Sequence, residues 1–143
     1  MITLQGLYRI AEKQNIVLDR FPLKKREALA LMDECGNCFI AMDPRRILSE
    51  TDERNKLAHE IGHCCTGAFY NQYSSFDCRQ RHENTADKWA IVQLIPVEAL
   101  DNAIADGLTE LWELAEFFGV TEDFMRKAVC YYVHGNVAAE LYF

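Results

Sequence analysis

The chain has 143 residues, half of them apolar and 26% charged, which suits one compact domain and excludes a disordered chain. No apolar run approaches the ~18–20 residues that span a bilayer. A net charge of −7 excludes a broad, sequence-independent nucleic-acid binder, because phosphate contacts need clustered Lys and Arg. The charge is also uneven: residues 1–96 hold thirteen acids and thirteen bases, whereas residues 97–143 hold nine acids against Arg126 and Lys127. That acidic third is either a solvated helical face or a docking surface for a basic partner.

The opening MITLQGLYRI has no basic stretch, long apolar run or small-residue cleavage site, so the expected location is the cytoplasm. There the six cysteines (Cys35, Cys38, Cys64, Cys65, Cys78 and Cys130) are expected to stay reduced. Leu4, Leu7, Ile10 and Ala11 recur at helical spacing and predict an opening helix that Asn15 ends. Two strand-like runs follow, Ala28 to Met32 and Cys38 to Met42, joined through Gly36-Asn37 as a β-hairpin. The Cys35-Gly36-Asn37-Cys38 element therefore reads as a turn, since no second CxxC completes a zinc knuckle.

From Ser49, a good N-cap, the spacing of Leu57, Ile61, Cys65 and Ala68 predicts a long helix ending near Gly67. A loop with Tyr70, Tyr73 and Phe76 leads to a helix from about Gln80 to Leu94, where Ile95-Pro96 stops it. Three more helices are predicted near 97–106, 109–118 and 121–134. The segment Leu114 to Thr121 resembles the turn of a DNA-binding helix-turn-helix, but Glu110, Glu113, Glu116, Glu122 and Asp123 would repel phosphate. It reads instead as a packed helix pair with Trp112, Ala115, Phe118 and Val120 in the core.

The informative segment is His59-Glu60-Ile61-Gly62-His63, an HExxH pattern inside the long helix. Residues i and i+4 share a helical face, so both imidazoles reach one ion, and Glu60 stands beside it as a general base. A catalytic zinc site wants a third protein ligand and an open position. The next helix offers Glu83 as that ligand, and Asp87 one turn later to accept the spare N–H of a ligating His. Gly62, costly inside a helix, suggests close approach of a neighbouring backbone, and Cys64 and Cys65 read as small core residues. Zinc bound there makes water acidic near neutral pH, and Glu60 would carry the proton to the leaving amine. Candidates for stabilising the oxyanion are Tyr70, Tyr73, His82, Tyr131 and His134.

The run Arg54-Asn55-Lys56-Leu57-Ala58-His59-Glu60-Ile61-Gly62-His63, then Glu83-Asn84-Thr85-Ala86-Asp87-Lys88-Trp89-Ala90 and Leu94-Ile95-Pro96, resembles the ImmA/IrrE family of metallopeptidases. The resemblance implies an α+β fold: a mostly helical zincin-like domain with a small antiparallel hairpin or sheet, and the metal site between two consecutive helices. It implies the same site residues: zinc on His59, His63 and Glu83, Glu60 as general base, and Asp87 behind His59 or His63. It alone implies a substrate: enzymes of this family, typically encoded by phages and mobile elements or acting in stress responses, cleave a partner helix-turn-helix repressor. The expectation is one domain over residues 1–143, with hairpin and zinc helices in 1–96 and an acidic helical region in 97–143. It is expected to act as a zinc endopeptidase on a basic DNA-binding protein, with no direct binding to nucleic acid or membrane. The alternatives are a non-catalytic zinc-containing sensing module and another HExxH hydrolase; a deformylase is disfavoured because no Gly-Cys-Leu motif precedes His59.

Overall fold

The computed structural model describes residues 1–71 and 73–143, so Gln72 of the predicted tyrosine-rich loop lies outside the described residues. The fold is α+β and mostly helical, in the order α1 (Leu4–Lys13), β1 (Val17–Arg20), β2 (Ala28–Met32), β3 (Cys38–Met42), α2 (Glu50–Thr66), α3 (Phe76–Leu94), α4 (Val97–Ala105), α5 (Leu111–Phe118) and α6 (Glu122–His134). A short 3₁₀ turn, Ala139–Leu141, follows. No described helix is long and apolar enough to cross a membrane.

Residues 2–90 form one compact unit, and residues 91–143 with Met1 form another. In the first unit the sheet has the order β1-β3-β2. The hairpin β2–β3 is antiparallel, Ala30 opposite Ile40, with the turn closed by Asp33 accepting from Cys35 N and Asn37 N at 2.9 and 2.8 Å. Gly36 takes φ +85 there, which accounts for its place in the turn. β1 was not apparent in the sequence: it adds in parallel, Leu18 opposite Ile40, and its four residues include Asp19 and Arg20. Parallel pairing to a strand twenty residues away leaves no local signal.

The sheet lies against α2, and α1 packs on both α2 and β1. Leu7, Ile40, Met42, Leu57 and Ile61 are fully buried between these layers. Asp43, at the end of β3, has no exposed surface and accepts from Leu23 N, Arg45 N and the Arg45 guanidinium at 2.9–3.2 Å. This buried carboxylate ties the loop before β2 to the segment that leads into α2.

Ser49 caps α2 as expected, its hydroxyl accepting from Asp52 N at 3.0 Å, and Gly67 ends it with φ +69. α3 begins four residues before Gln80 because Ser75 caps it, Oγ accepting from Cys78 N at 3.1 Å. In the second unit α5 and α6 pack as a helix pair, with Ala115, Phe118 and Met125 buried. Trp112 is not in that core. The buried residues of α5 are Leu114, Ala115 and Phe118, and Trp112 falls off that face at 55% exposure.

Two expectations about cysteine are corrected. Cys38 and Cys64 are joined in a disulfide, with Cα atoms 5.9 Å apart, because β3 crosses α2 one residue beyond His63. Cys35, Cys65, Cys78 and Cys130 are free, and Cys65 is exposed rather than core. Cys35 and Cys38 thus share the hairpin turn without pairing to each other.

Candidate metal centre

α2 carries His59, Glu60 and His63, and α3 carries Glu83 and Asp87. The two helices approach closely at Gly62, where an added Cβ would stand 2.7 Å from the Ala86 carbonyl oxygen. Any side chain there would push apart the two helices that carry the cluster. The expected close approach is therefore the reason for the mid-helix glycine.

Both imidazoles commit the same nitrogen to hydrogen bonding. His59 Nδ1 donates to Asp87 Oδ1 at 2.8 Å, and His63 Nδ1 donates to the Ala68 carbonyl at 2.5 Å. The second bond depends on how α2 ends: Gly67, in the left-handed region, turns the chain so that Ala68 comes back under His63. Each ring is thereby oriented with Nε2 towards the same point.

At that point His59 Nε2 lies 2.8 Å from Glu83 Oε2, His63 Nε2 lies 3.3 Å from Glu83 Oε1, and the two Nε2 atoms are 3.2 Å apart. A tetrahedral ion with 2.0–2.1 Å bonds separates its ligand atoms by roughly 3.3–3.4 Å. The observed separations are within reach of that figure. The donor set also fits on chemical grounds. His63 has given its N–H to Ala68, so its Nε2 lone pair faces a carboxylate oxygen, and a cation is what makes that approach favourable. His59, His63 and Glu83 are thus the residues that could hold a metal.

Electrostatics agree with a cation-binding cluster. Burial opposes charge on His59, but the hydrogen bonds to Asp87 and Glu83 outweigh it and push its pKa up to about 10. Burial also raises Glu83, yet the bonds from His59, His63 and Tyr70 hold it well below the usual carboxylate range. Glu60 is nearly buried, 9% exposed, and has no such set of donors; desolvation pushes its pKa up against the pull of the nearby imidazoles. Two glutamates in one site thus differ in role: Glu83 is held as an anion, and Glu60 has a raised affinity for a proton.

A cleft opens beside the cluster, lined by Arg26 and Leu29–Leu31 of the β2 region, Glu60, His63, the Ala68–Tyr70 segment and Glu83. Tyr70 donates to Glu83 Oε1 at 2.7 Å. Of the other oxyanion candidates, Tyr73 is 87% exposed and His82 stacks on Tyr70 with ring centroids 6.4 Å apart. Tyr131 and His134 belong to the second unit, where His134 stacks on Tyr142 at 3.8 Å. Arg26 was not singled out from the sequence, since an arginine ahead of a strand carries no signal of its own.

The chain matches the family model Peptidase_M78, the IrrE N-terminal-like domain, over residues 11–129. No curated protein matches it.

Proposed function

This chain belongs to the Peptidase_M78 family of IrrE N-terminal-like domains, and we propose that it is a zinc-dependent endopeptidase that cleaves a regulatory protein, a helix-turn-helix repressor. The observation that carries the metal part of this reading is the convergence of His59 Nε2, His63 Nε2 and Glu83 on one point, each imidazole held by its other nitrogen. Zinc bound there supplies Lewis acidity, making water acidic near neutral pH and a carbonyl carbon electrophilic.

The protein's own groups then have distinct tasks. Glu60 takes the proton of the attacking water and delivers it to the departing amide nitrogen, a task suited to a carboxylate whose proton affinity burial has raised. Asp87 and Ala68 hold the two rings in the ligating tautomer. β2 is an edge strand bordering the cleft, so an extended peptide can pair with its free edge and cross the cluster.

The choice of a basic DNA-binding substrate rests on the family resemblance and on charge. Residues 97–143 carry the whole acidic excess, and α5 sets the half-exposed Trp112 and Phe117 among Glu110, Glu113 and Glu116. Acids around apolar anchors suit a basic, partly apolar partner. Such a repressor would meet the enzyme in the cytoplasm. The test is co-expression with a candidate helix-turn-helix repressor, comparing wild type with Glu60→Gln. Cleavage by the wild type alone, at equal zinc content, is expected; cleavage by both removes Glu60 from the chemistry.

A further inference from the structure

The peptidase reading leaves one task without a residue. When water adds to a peptide carbonyl, the oxygen becomes an anion, and a donor fixed beforehand stabilises it far better than solvent. Among the described residues that line the cleft, the polar side chains are Arg26, Glu60, His63, Tyr70 and Glu83. The two glutamates are acceptors, and His63 spends its N–H on Ala68. Arg26 and Tyr70 remain.

Tyr70 is the better placed of the two. Its hydroxyl lies 2.7 Å from Glu83 Oε1, one hydrogen bond from the cluster, and its ring is held against His82. A phenolic O–H turns about its own C–O bond, so the donor can leave Glu83 for a substrate oxygen without moving the ring. Arg26 lines the same cleft and brings a positive charge to it.

We propose that Tyr70 is a catalytic residue, whose hydroxyl donates to the peptide carbonyl oxygen as that oxygen becomes the tetrahedral oxyanion, with Arg26 supplying positive charge in the same cleft. This assignment rests on the peptidase reading. As the water oxygen bonds to the carbonyl carbon, Glu60 takes a water proton and the C=O π pair moves onto the oxygen. That pair then re-forms the C=O bond as the C–N bond breaks, and the proton held by Glu60 goes to the leaving nitrogen. Tyr70 keeps its proton throughout. Its contribution is confined to the interval in which the oxygen is charged, so it lowers the barrier without tightening substrate binding.

The probe is phosphoryl-Leu-Trp, whose phosphoryl group presents tetrahedral anionic oxygens, titrated by calorimetry into zinc-loaded wild type and Tyr70→Phe with metal content measured on the same samples. One zinc per chain in both, and a Kd roughly 100-fold weaker in the variant, is the expected result. Equal affinities would overturn the assignment. Loss of zinc from Tyr70→Phe would also overturn it, making Tyr70 a positioning residue for Glu83. Failure of the zinc-loaded wild type to bind the probe at all would remove the peptidase reading, and this assignment with it.

Discussion

Asp87 accepts the Nδ1–H of His59 over 2.8 Å, a bond between two helices that fixes which nitrogen His59 turns towards His63 and Glu83. Asp87 is itself buried, 7% exposed, so the pair is shielded from solvent. Replacing the carboxylate with an amide removes the charge that raises the basicity of the ring. Asp87→Asn should weaken zinc binding by about 10–100-fold, measured by competition with a chelator, while the far-ultraviolet dichroism stays that of the wild type.

The Cys38–Cys64 link closes 26 residues between β3 and the helix that carries His59 and His63. Thiol titration of the unfolded protein without reductant should count the four free cysteines, rising to six after reduction. Breaking the link should cost about 2–4 kcal/mol of stability. A count of six before reduction would restore the expectation of reduced thiols that a cytoplasmic location favours.

Asp43 gives a pH dependence that involves none of His59, His63 and Glu83. Hydrogen bonds from the Arg45 guanidinium hold its pKa well below the usual range, so the folded value lies under the unfolded one. Its stabilisation is present above an unfolded pKa of about 4 and is lost as pH falls through the folded value. Denaturant midpoints should therefore fall on acidification in the wild type. Asp43→Asn should start lower at neutral pH and fall less.

The acidic helical region offers a test of partner choice. Reversing Glu110, Glu113 and Glu116 to Lys should raise the KM for a basic repressor by roughly tenfold at low salt and flatten its salt dependence. Unchanged kinetics would leave these residues a solubilising face.

Much of this arrangement was legible in the sequence, and the parts that were not have physical reasons. Helices capped by Ser49 and ended by Gly67 announce themselves locally, as does the hairpin at Gly36. The site was legible for the same reason, since His59/His63 and Glu83/Asp87 are each i,i+4 pairs whose shared face follows from helix geometry alone. β1 was hidden because its register is set by a strand far along the chain, and the disulfide because its partners meet only when β3 crosses α2. Tyr70 was one of five candidates until the cleft placed it beside Glu83 and left Tyr73 in solvent. Trp112 misled because an aromatic at roughly helical spacing looks like core until the true stripe through Leu114, Ala115 and Phe118 is seen.

Elemental analysis of purified wild type, Glu60→Gln and His63→Ala tests most directly whether two imidazoles and one carboxylate hold a single metal ion. One zinc per chain is expected in the wild type and in Glu60→Gln, whose substituted residue is not a ligand, with zinc largely lost from His63→Ala. Stoichiometric zinc in His63→Ala, or none in the wild type, would contradict it.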